Sequence, residues 1–287
     1  MGKNKKPSVP HEDHLLLPQH AARPSPSSTP IVDTHTHLLS TYSSYRSKYK
    51  QARYATVYDF VRELYNDRGV DAIVDVYCEA PEHKTWKEIA DSALTEQGRR
   101  ELWGGLEYWF VMVQQDVFVR QLKHAVRLGK PLTIHTREAE EDSERILKEH
   151  VPKAHRIHIH CYTDSPEWAA RMLDHFPNLY IGITGVITYS TNLNTSEVIR
   201  RMAASSNEEA PLRILLETDA PFMTPSNIYN SLKNLKGRLP ISHSAMIPWT
   251  AEFVANVANE TATEGGRWDT LRVMRESREN ARKMYGV

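Results

Sequence analysis

The sequence has little cysteine, no net charge and no long apolar run. Only Cys78 and Cys161 occur among 287 residues, and each follows an apolar run, so we expect no disulfide framework. Because 36 basic residues balance 36 acidic ones, no global basic field predicts nucleic-acid binding, and any polyanion site must be local or built on metal ions. No apolar stretch approaches the roughly 20 residues that cross a bilayer, so we expect no membrane partner. Without an export signal, we expect a cytoplasmic or nuclear location.

The composition is that of a globular protein preceded by a polar segment. Hydrophobic residues make up 40% of the chain and charged residues 25%, as in ordinary globular domains. Residues 1–29 are polar and rich in proline, and such a segment buries too little apolar surface to offset its ordering entropy. The sequence therefore predicts a disordered tail over 1–29 and one domain over 30–287.

Short apolar, β-branched runs alternate with helical patterns beyond the tail. This alternation is typical of βαβ units around a parallel sheet, so we predict an α/β fold. Two helices are predicted to close the chain from Ile247 to Tyr285, interrupted at Gly265 and Gly266. The seven predicted strands are 30–32, 72–77, 108–112, 132–134, 157–159, 179–183 and 214–216.

Histidine or aspartate follows four of these strands, where a βα barrel carries its chemistry. His35 and His37 lie two residues apart, so strand geometry puts both imidazoles on one side, and His135, His160 and Asp219 follow three later strands. Any one histidine alone is better explained by a structural hydrogen bond. Together, imidazoles and a carboxylate predict a site for a divalent cation such as zinc or manganese, which would generate hydroxide at neutral pH.

Three residues at these strand ends are predicted to have more specific roles. Asp219 is the candidate catalytic residue, since it can both bind the cation and accept the water's proton. Glu217 and His158 point to the opposite face of their strands by alternation, so we expect them to support the site or the core.

At these residues the sequence resembles the TatD family of metal-dependent deoxyribonucleases. The resemblance implies a TIM-type barrel that hydrolyses phosphodiester bonds in DNA, often from the 3′ end, with one or two divalent ions (Mg, Mn or Zn). It places His35, His37 and Asp219 on one metal, His135 and His160 on the other, and Arg137 near the substrate phosphate. The motifs that carry it are Asp33-Thr-His-Thr-His37, Ile134-His-Thr-Arg-Glu-Ala139, His160-Cys-Tyr-Thr163, Gly182-Ile-Thr-Gly185, Leu216-Glu-Thr-Asp-Ala-Pro221 and Glu279-Asn-Ala-Arg-Lys-Met-Tyr-Gly286.

One internal segment departs from the family pattern. The family's Gly-x-His-Pro-His turn, and the following strand whose Gly-Glu-x-Gly-Leu-Asp glutamate bridges both metals, have no counterpart here. The nearest imitation, around Gly105, puts Trp103 at the bridging position, which leaves Glu101 and Glu107 as candidate substitutes. We therefore expect a barrel with one βα unit missing or incomplete and a distorted seam, arising from deletion, splicing or a misassembled gene junction.

The departure leaves three functions open. The first is a TatD-type nuclease acting on DNA or another phosphodiester. The second is a catalytically impaired barrel that binds a protein partner. The third is an amide or lactone hydrolase, because metal-bound hydroxide also attacks carbonyl groups.

Overall fold

The structure is a computed structural model that describes residues 9–23, 29–65, 68–77, 84–104, 106–112, 118–136, 139–205, 211–262 and 267–287. All seven predicted strands are confirmed, and every ladder between them is parallel. They form two sheets, one in the order β1-β2-β3 and the other in the order β4-β5-β6-β7. The strands are β1 (Ile31–Thr36), β2 (Val70–Tyr77), β3 (Glu107–Met112), β4 (Leu132–Ile134), β5 (Ile157–Ile159), β6 (Leu179–Ile183) and β7 (Ile214–Leu216).

The two sheets meet where β7 lies beside β1. An isolated parallel bridge joins Thr36 to Ala220, and the backbone N–H of Asp219 donates to the carbonyl of His35 at 2.9 Å. On the other side, within the described part of the chain, no ladder joins β3 to β4. The expected gap in the family pattern falls between these same two strands. The fold is thus a TIM-type α/β barrel with seven described strands.

Helices cover the outside of the barrel and close the chain. Ser165 caps α7 by accepting a hydrogen bond from the Trp168 N–H, and Pro166 occupies its first turn. No described helix combines the length and the apolar character needed to cross a bilayer. The helices are α1 (Leu38–Lys48), α2 (Val57–Tyr65), α3 (Lys84–Ser92), α4 (Glu96–Trp103), α5 (Phe118–Arg127), α6 (Glu140–His150), α7 (Pro166–His175), α8 (Asn194–Ser205), α9 (Ile247–Asn259) and α10 (Thr270–Tyr285).

The two predicted closing helices are α9 and α10, whereas the predicted interruption at Gly265 and Gly266 lies outside the described residues. Helix α10 packs against both α9 and β7. Asp269 caps its N-terminus, and Gly286 ends it in the left-handed region at φ 82°. The C-terminal motif of the chain is thereby fixed beneath the strands that carry the candidate ligands.

Residues 9–23 differ from the predicted disordered tail. They contain a short 3-10 helix, Glu12–Leu15, and Leu15 and Leu17 are buried in a core cluster with side chains of α1, α2 and β2. Arg23 is also buried, and its guanidinium donates to the carbonyls of Thr29 and Gly69. The prediction failed here because it averaged composition over 29 residues and gave no weight to three consecutive leucines that can be buried.

Candidate metal centre

Four side-chain donors converge at the C-terminal ends of β1, β5 and β7. His37 Nε2 lies 3.3 Å from Asp219 Oδ1 and 3.4 Å from His35 Nε2. The same Asp219 oxygen is 3.9 Å from His35 Nε2 and 3.6 Å from His160 Nε2. Ligands bound at 2.0–2.2 Å with tetrahedral geometry are separated by about 3.3–3.6 Å. The spacing of His35, His37 and Asp219 therefore fits a single divalent cation, and His160 approaches the same Asp219 oxygen.

One ring nitrogen of the buried His35 lacks the partner that a purely structural histidine would have. His35 and His160 stack face to face, with ring centroids 3.4 Å apart and planes at 15°. His35 Nδ1 is buried without a hydrogen-bond partner. Burial, reinforced by the neighbouring His160, holds the pKa of His35 well below its ordinary value. His35 is therefore kept neutral, and the neutral imidazole is the form that binds a cation.

The second ring nitrogen of His37 is held by the neighbouring strand. His37 Nδ1 lies 2.7 Å from the carbonyl of Val76 and donates to it, which leaves Nε2 as the ring nitrogen that faces Asp219. Burial lowers the pKa of His37, but the Asp219 carboxylate and the Val76 carbonyl outweigh it, so the pKa lies above its ordinary value. The residue after His37 is fixed as well, because Asp75 accepts the N–H of Leu38 at 2.7 Å.

Glu217 orients His160 through Nδ1, the ring nitrogen that does not face Asp219. One carboxylate oxygen lies 3.1 Å from His160 Nδ1 and 3.2 Å from His158 Nε2, and the other accepts the N–H of Cys161. Burial raises the pKa of this carboxyl group, but His160 and His158 outweigh it, so the pKa lies well below its ordinary value. Glu217 also lies within ligand distance of His35 and His160. Because both its oxygens are already engaged, the geometry favours the supporting role predicted from strand alternation.

Gly182 makes room for this buried carboxylate. A β-carbon at position 182 would collide with Glu217 Oε1 and with His158 Nε2. Its place on β6, between the strands that carry His158 and Glu217, explains why the sequence has glycine there.

Asp33 is a functional residue that the sequence reasoning missed. It is fully buried and accepts hydrogen bonds from the His35 N–H, the Thr218 N–H and hydroxyl, and the Ser244 hydroxyl. Burial outweighs these donors and raises the pKa of Asp33 to about 7. Asp33 thus ties the strand that carries His35 to the turn that carries Asp219. Its place at the head of the Asp-Thr-His-Thr-His motif was the available signal.

The backbone turns sharply at two of these strand exits. Asp219 has φ 52°, and Cys161, directly after His160, has φ 45°. Few residues other than glycine adopt this left-handed region, and where they do the surrounding structure must hold them there. The hydrogen bonds from Asp219 N to His35 O and from Cys161 N to Glu217 serve that purpose.

Of the other residues considered from the sequence, some lie apart from the four donors and some lie outside the described residues. His135 is exposed, with its ring centroid 5.6 Å from that of His160, and it belongs to none of the described donor groups with ligand spacing. Arg137 lies outside the described residues. Trp103 is buried and donates to Ser92, which agrees with its exclusion as a ligand. Glu101 is exposed on α4 and accepts from Gln97, and the side chain of Glu107 is outside the described part.

Comparisons with known proteins agree with the motifs. Residues 104–286 match the family described as TatD related DNase. The chain is 35% identical over 188 residues to the 3'-5' RNA nuclease TATDN2 of Homo sapiens, covering 64% of this chain and 22% of that protein. It is 34% identical over 136 residues to the Deoxyribonuclease Tat-D of Schizosaccharomyces pombe, covering 47% and 40%. The chain therefore spans less than half the length of these two relatives.

The fold is shared with a solved structure. An uncharacterized amidohydrolase from Saccharomyces cerevisiae superimposes with a TM-score of 0.66 over 90% of this chain and 100% of that one, at 14% identity. Such low identity bears on the fold alone, and it confirms the TIM-type barrel. The family match, which covers more than half of the chain and most of the strand-end motifs, shows that this protein belongs to the TatD-related DNase family.

Proposed function

We propose that this protein is a metal-dependent nuclease that hydrolyses phosphodiester bonds in DNA with a metal-activated water. The observation that carries the proposal is the convergence of His35, His37, His160 and Asp219, whose donor atoms lie 3.3–3.9 Å from the Asp219 carboxylate or from each other. Family membership supports the reaction class, and the names of the two nuclease relatives support the substrate class.

Three imidazoles and one carboxylate favour a particular kind of cation. Imidazole-rich sites suit zinc, whereas manganese and magnesium prefer oxygen ligands, and magnesium also retains its waters. When bound, such a cation lowers the pKa of a coordinated water and polarises a phosphoryl oxygen. We infer one tightly held ion at His35, His37, His160 and Asp219. A second ion near His135 would bind more weakly, because His135 belongs to none of the described groups with ligand spacing.

The protein's own residues have separable roles in this reaction. His35, His37 and His160 would hold the cation through ring nitrogens. Asp219, as both ligand and carboxylate, is placed to accept the proton of the attacking water. Its side chain is 13% exposed, so the reacting atoms can reach it from the barrel mouth.

The turn after Asp219 offers groups suited to a nucleic-acid chain. Phe222 is 60% exposed, and its N–H is bonded to the Asp219 carbonyl at 3.0 Å, so its ring is held in solvent close to the candidate ligands. Exposed aromatic rings stack on nucleobases, and nearby cations attract phosphates. Lys233, Lys236 and Arg238 are exposed in the following loop. Arg137 remains a proposed phosphate contact on the strength of the motif alone.

The test combines metal content with cleavage. Purified protein should contain about one zinc or manganese per chain and should shorten a single-stranded DNA oligonucleotide labelled at its 5′ end in the presence of Mn²⁺. Asp219→Asn should abolish cleavage, whereas the matched control Asp142→Asn, at an exposed carboxylate on α6, should leave it unchanged. An RNA oligonucleotide of the same sequence tests whether the activity extends to the substrate in the human relative's name.

Other outcomes favour the alternatives. Bound metal with no cleavage of DNA or RNA, but with hydrolysis of a lactone or an amide that Asp219→Asn abolishes, would indicate a carbonyl hydrolase. Absence of bound metal together with absence of activity would refute the enzyme and favour a barrel that binds a protein partner. A cytoplasmic or nuclear location remains a prediction that fluorescence imaging of the tagged chain can check.

A further inference from the structure

A buried series of polar contacts connects the C-terminal helix to the candidate ligand His160. The Tyr285 hydroxyl lies 2.8 Å from Thr133 Oγ1 on β4 and 2.7 Å from His158 Nδ1 on β5. His158 Nε2 lies 3.2 Å from Glu217 Oε2, and that same oxygen lies 3.1 Å from His160 Nδ1. The rings of His158 and Tyr285 meet edge to face, with centroids 6.1 Å apart.

The donor and the acceptor at each of these contacts follow from where the protons can be. A carboxylate oxygen has only lone pairs, so His160 Nδ1 donates its hydrogen bond to Glu217 Oε2. His158 Nε2 lies 3.2 Å from the same oxygen, outside hydrogen-bond geometry, and at that distance it faces the carboxylate with its proton rather than with a lone pair. A neutral His158 that carries its proton on Nε2 has only a lone pair on Nδ1, so the Tyr285 hydroxyl must donate to it. Tyr285 in turn can accept from the Thr133 hydroxyl. The proton position is then fixed at each contact, and the His160 Nε2 lone pair is left on the side of Asp219.

We propose that Tyr285 is a positioning residue for the metal centre: its hydroxyl fixes the tautomer of His158, which holds Glu217 in the orientation that presents His160 Nε2 to a cation. The proposal rests on the proposed function only in taking His160 as a metal ligand. It extends the site to α10, more than 60 residues beyond Asp219 in the sequence. The C-terminal motif, residues 279–286, would then help to position a metal ligand in addition to packing against the barrel.

The surroundings leave these groups little freedom to rearrange. His158 and Glu217 are each fully buried, and Gly182 lies so close to both that even a β-carbon would overlap them. Among the described residues, the Tyr285 hydroxyl is the partner found for His158 Nδ1. Without that donor, the Nδ1 lone pair can be satisfied only if the ring tilts toward Thr133, which draws Nε2–H away from Glu217.

The first measurement needs neither metal nor substrate. Long-range ¹H–¹⁵N NMR spectra of the metal-free protein, assigned with His158→Gln and His160→Gln, report which nitrogen of each ring carries the proton. In the wild type we expect the proton on Nε2 of His158 and on Nδ1 of His160. Tyr285→Phe should move the His158 nitrogen resonances and disturb those of His160. The opposite tautomer, or an imidazolium, at His158 in the wild type would overturn the proposal, as would unchanged spectra in Tyr285→Phe.

The second measurement is Co²⁺ affinity, read from the visible absorption of the bound ion. Removing groups that orient a metal-binding histidine typically costs about 10–100-fold in affinity, and Tyr285 acts through two further side chains, so we expect a loss of about threefold to tenfold in Tyr285→Phe. Thr133→Val should leave the affinity unchanged, because Tyr285 can still donate to His158. Tyr45→Phe, which removes another buried hydroxyl bonded to Glu12, is the matched control for general destabilisation.

The results separate this proposal from the proposed function. Equal affinity losses in Tyr285→Phe and Tyr45→Phe, or in Tyr285→Phe and Thr133→Val, would reduce Tyr285 to a packing residue and refute the positioning role. Wild-type protein that binds Co²⁺ with the expected variant pattern but cleaves no phosphodiester would support the positioning role and refute the nuclease. If the wild type cleaves DNA while Tyr285→Phe keeps the wild-type Co²⁺ affinity and NMR spectra, the nuclease would be supported and the positioning role refuted.

Discussion

Gly182 offers a test of how tightly the buried carboxylate network is packed. Gly182→Ala adds one methyl group where Glu217 Oε1 and His158 Nε2 already lie. Neither side chain can retreat, because Glu217 is bonded to Cys161 N and His158 is bonded to Tyr285. Overpacking of this kind costs about 1–3 kcal/mol. Since 1 kcal/mol shifts the midpoint of a domain this large by roughly 2–4 °C, we expect the melting temperature to fall by about 2–12 °C.

The same substitution should weaken the metal centre more than an equally destabilising change elsewhere. Displacing Glu217 releases His160 Nδ1, so we expect Co²⁺ affinity to fall by about tenfold or more. Calorimetry and cobalt titration measure the two effects. Gly129→Ala is the control, because a β-carbon at Gly129 would meet no atom within 4 Å, so that substitution bears only the strain of φ 64°. Gly182→Ala with wild-type melting temperature and wild-type affinity would refute the packing argument.

Three further predictions follow from burial and binding. Burial lowers the pKa of His243 from 6.5 to about 4, so between pH 6.5 and pH 4 the unfolded chain binds a proton that the folded chain does not. The free energy of unfolding should therefore fall by about 3 kcal/mol over this range. Urea titrations should find a smaller fall in His243→Gln. Leu17→Ala should destabilise the protein by about 2–5 kcal/mol in the same assay if the N-terminal segment is packed in solution, and a change below about 0.5 kcal/mol would contradict that packing. Addition of Zn²⁺ at 100 times its dissociation constant should stabilise the metal-free protein by about 2.7 kcal/mol, whereas Asp219→Asn should respond less at the same concentration.

The short strands were predictable because their sequences leave few alternatives. Runs such as Leu132–Ile134 and Ile214–Leu216 are apolar, β-branched or leucine-rich, and bounded by polar segments. A parallel sheet covered by helices buries both faces of such strands, so the hydrophobic run itself is the signal. The metal-type residues were then located by a simple rule, that barrel chemistry follows the strands.

The N-terminal segment and the residues that support the site were not predictable in this way. Asp33 and Ser244 are 211 positions apart in the sequence and share a 2.7 Å hydrogen bond. Leu15 and His243 are similarly remote, yet the His243 ring bonds the Leu15 carbonyl at 3.1 Å. Local patterns carry no information about such pairs, because closing the barrel brings them together.

The sequence by itself determined the family, the order of the strands and the identity of the candidate ligands, since each depends on short segments whose periodicity and residue type are local properties. Only the tertiary structure decided that His35, His37, His160 and Asp219 form one compact cluster with His135 outside it. It also decided that Tyr285 contacts His158, that His158 contacts Glu217, and that Glu217 contacts His160. The physical reason is that distances between strand ends depend on the registers and turns of the whole barrel, which no single segment encodes.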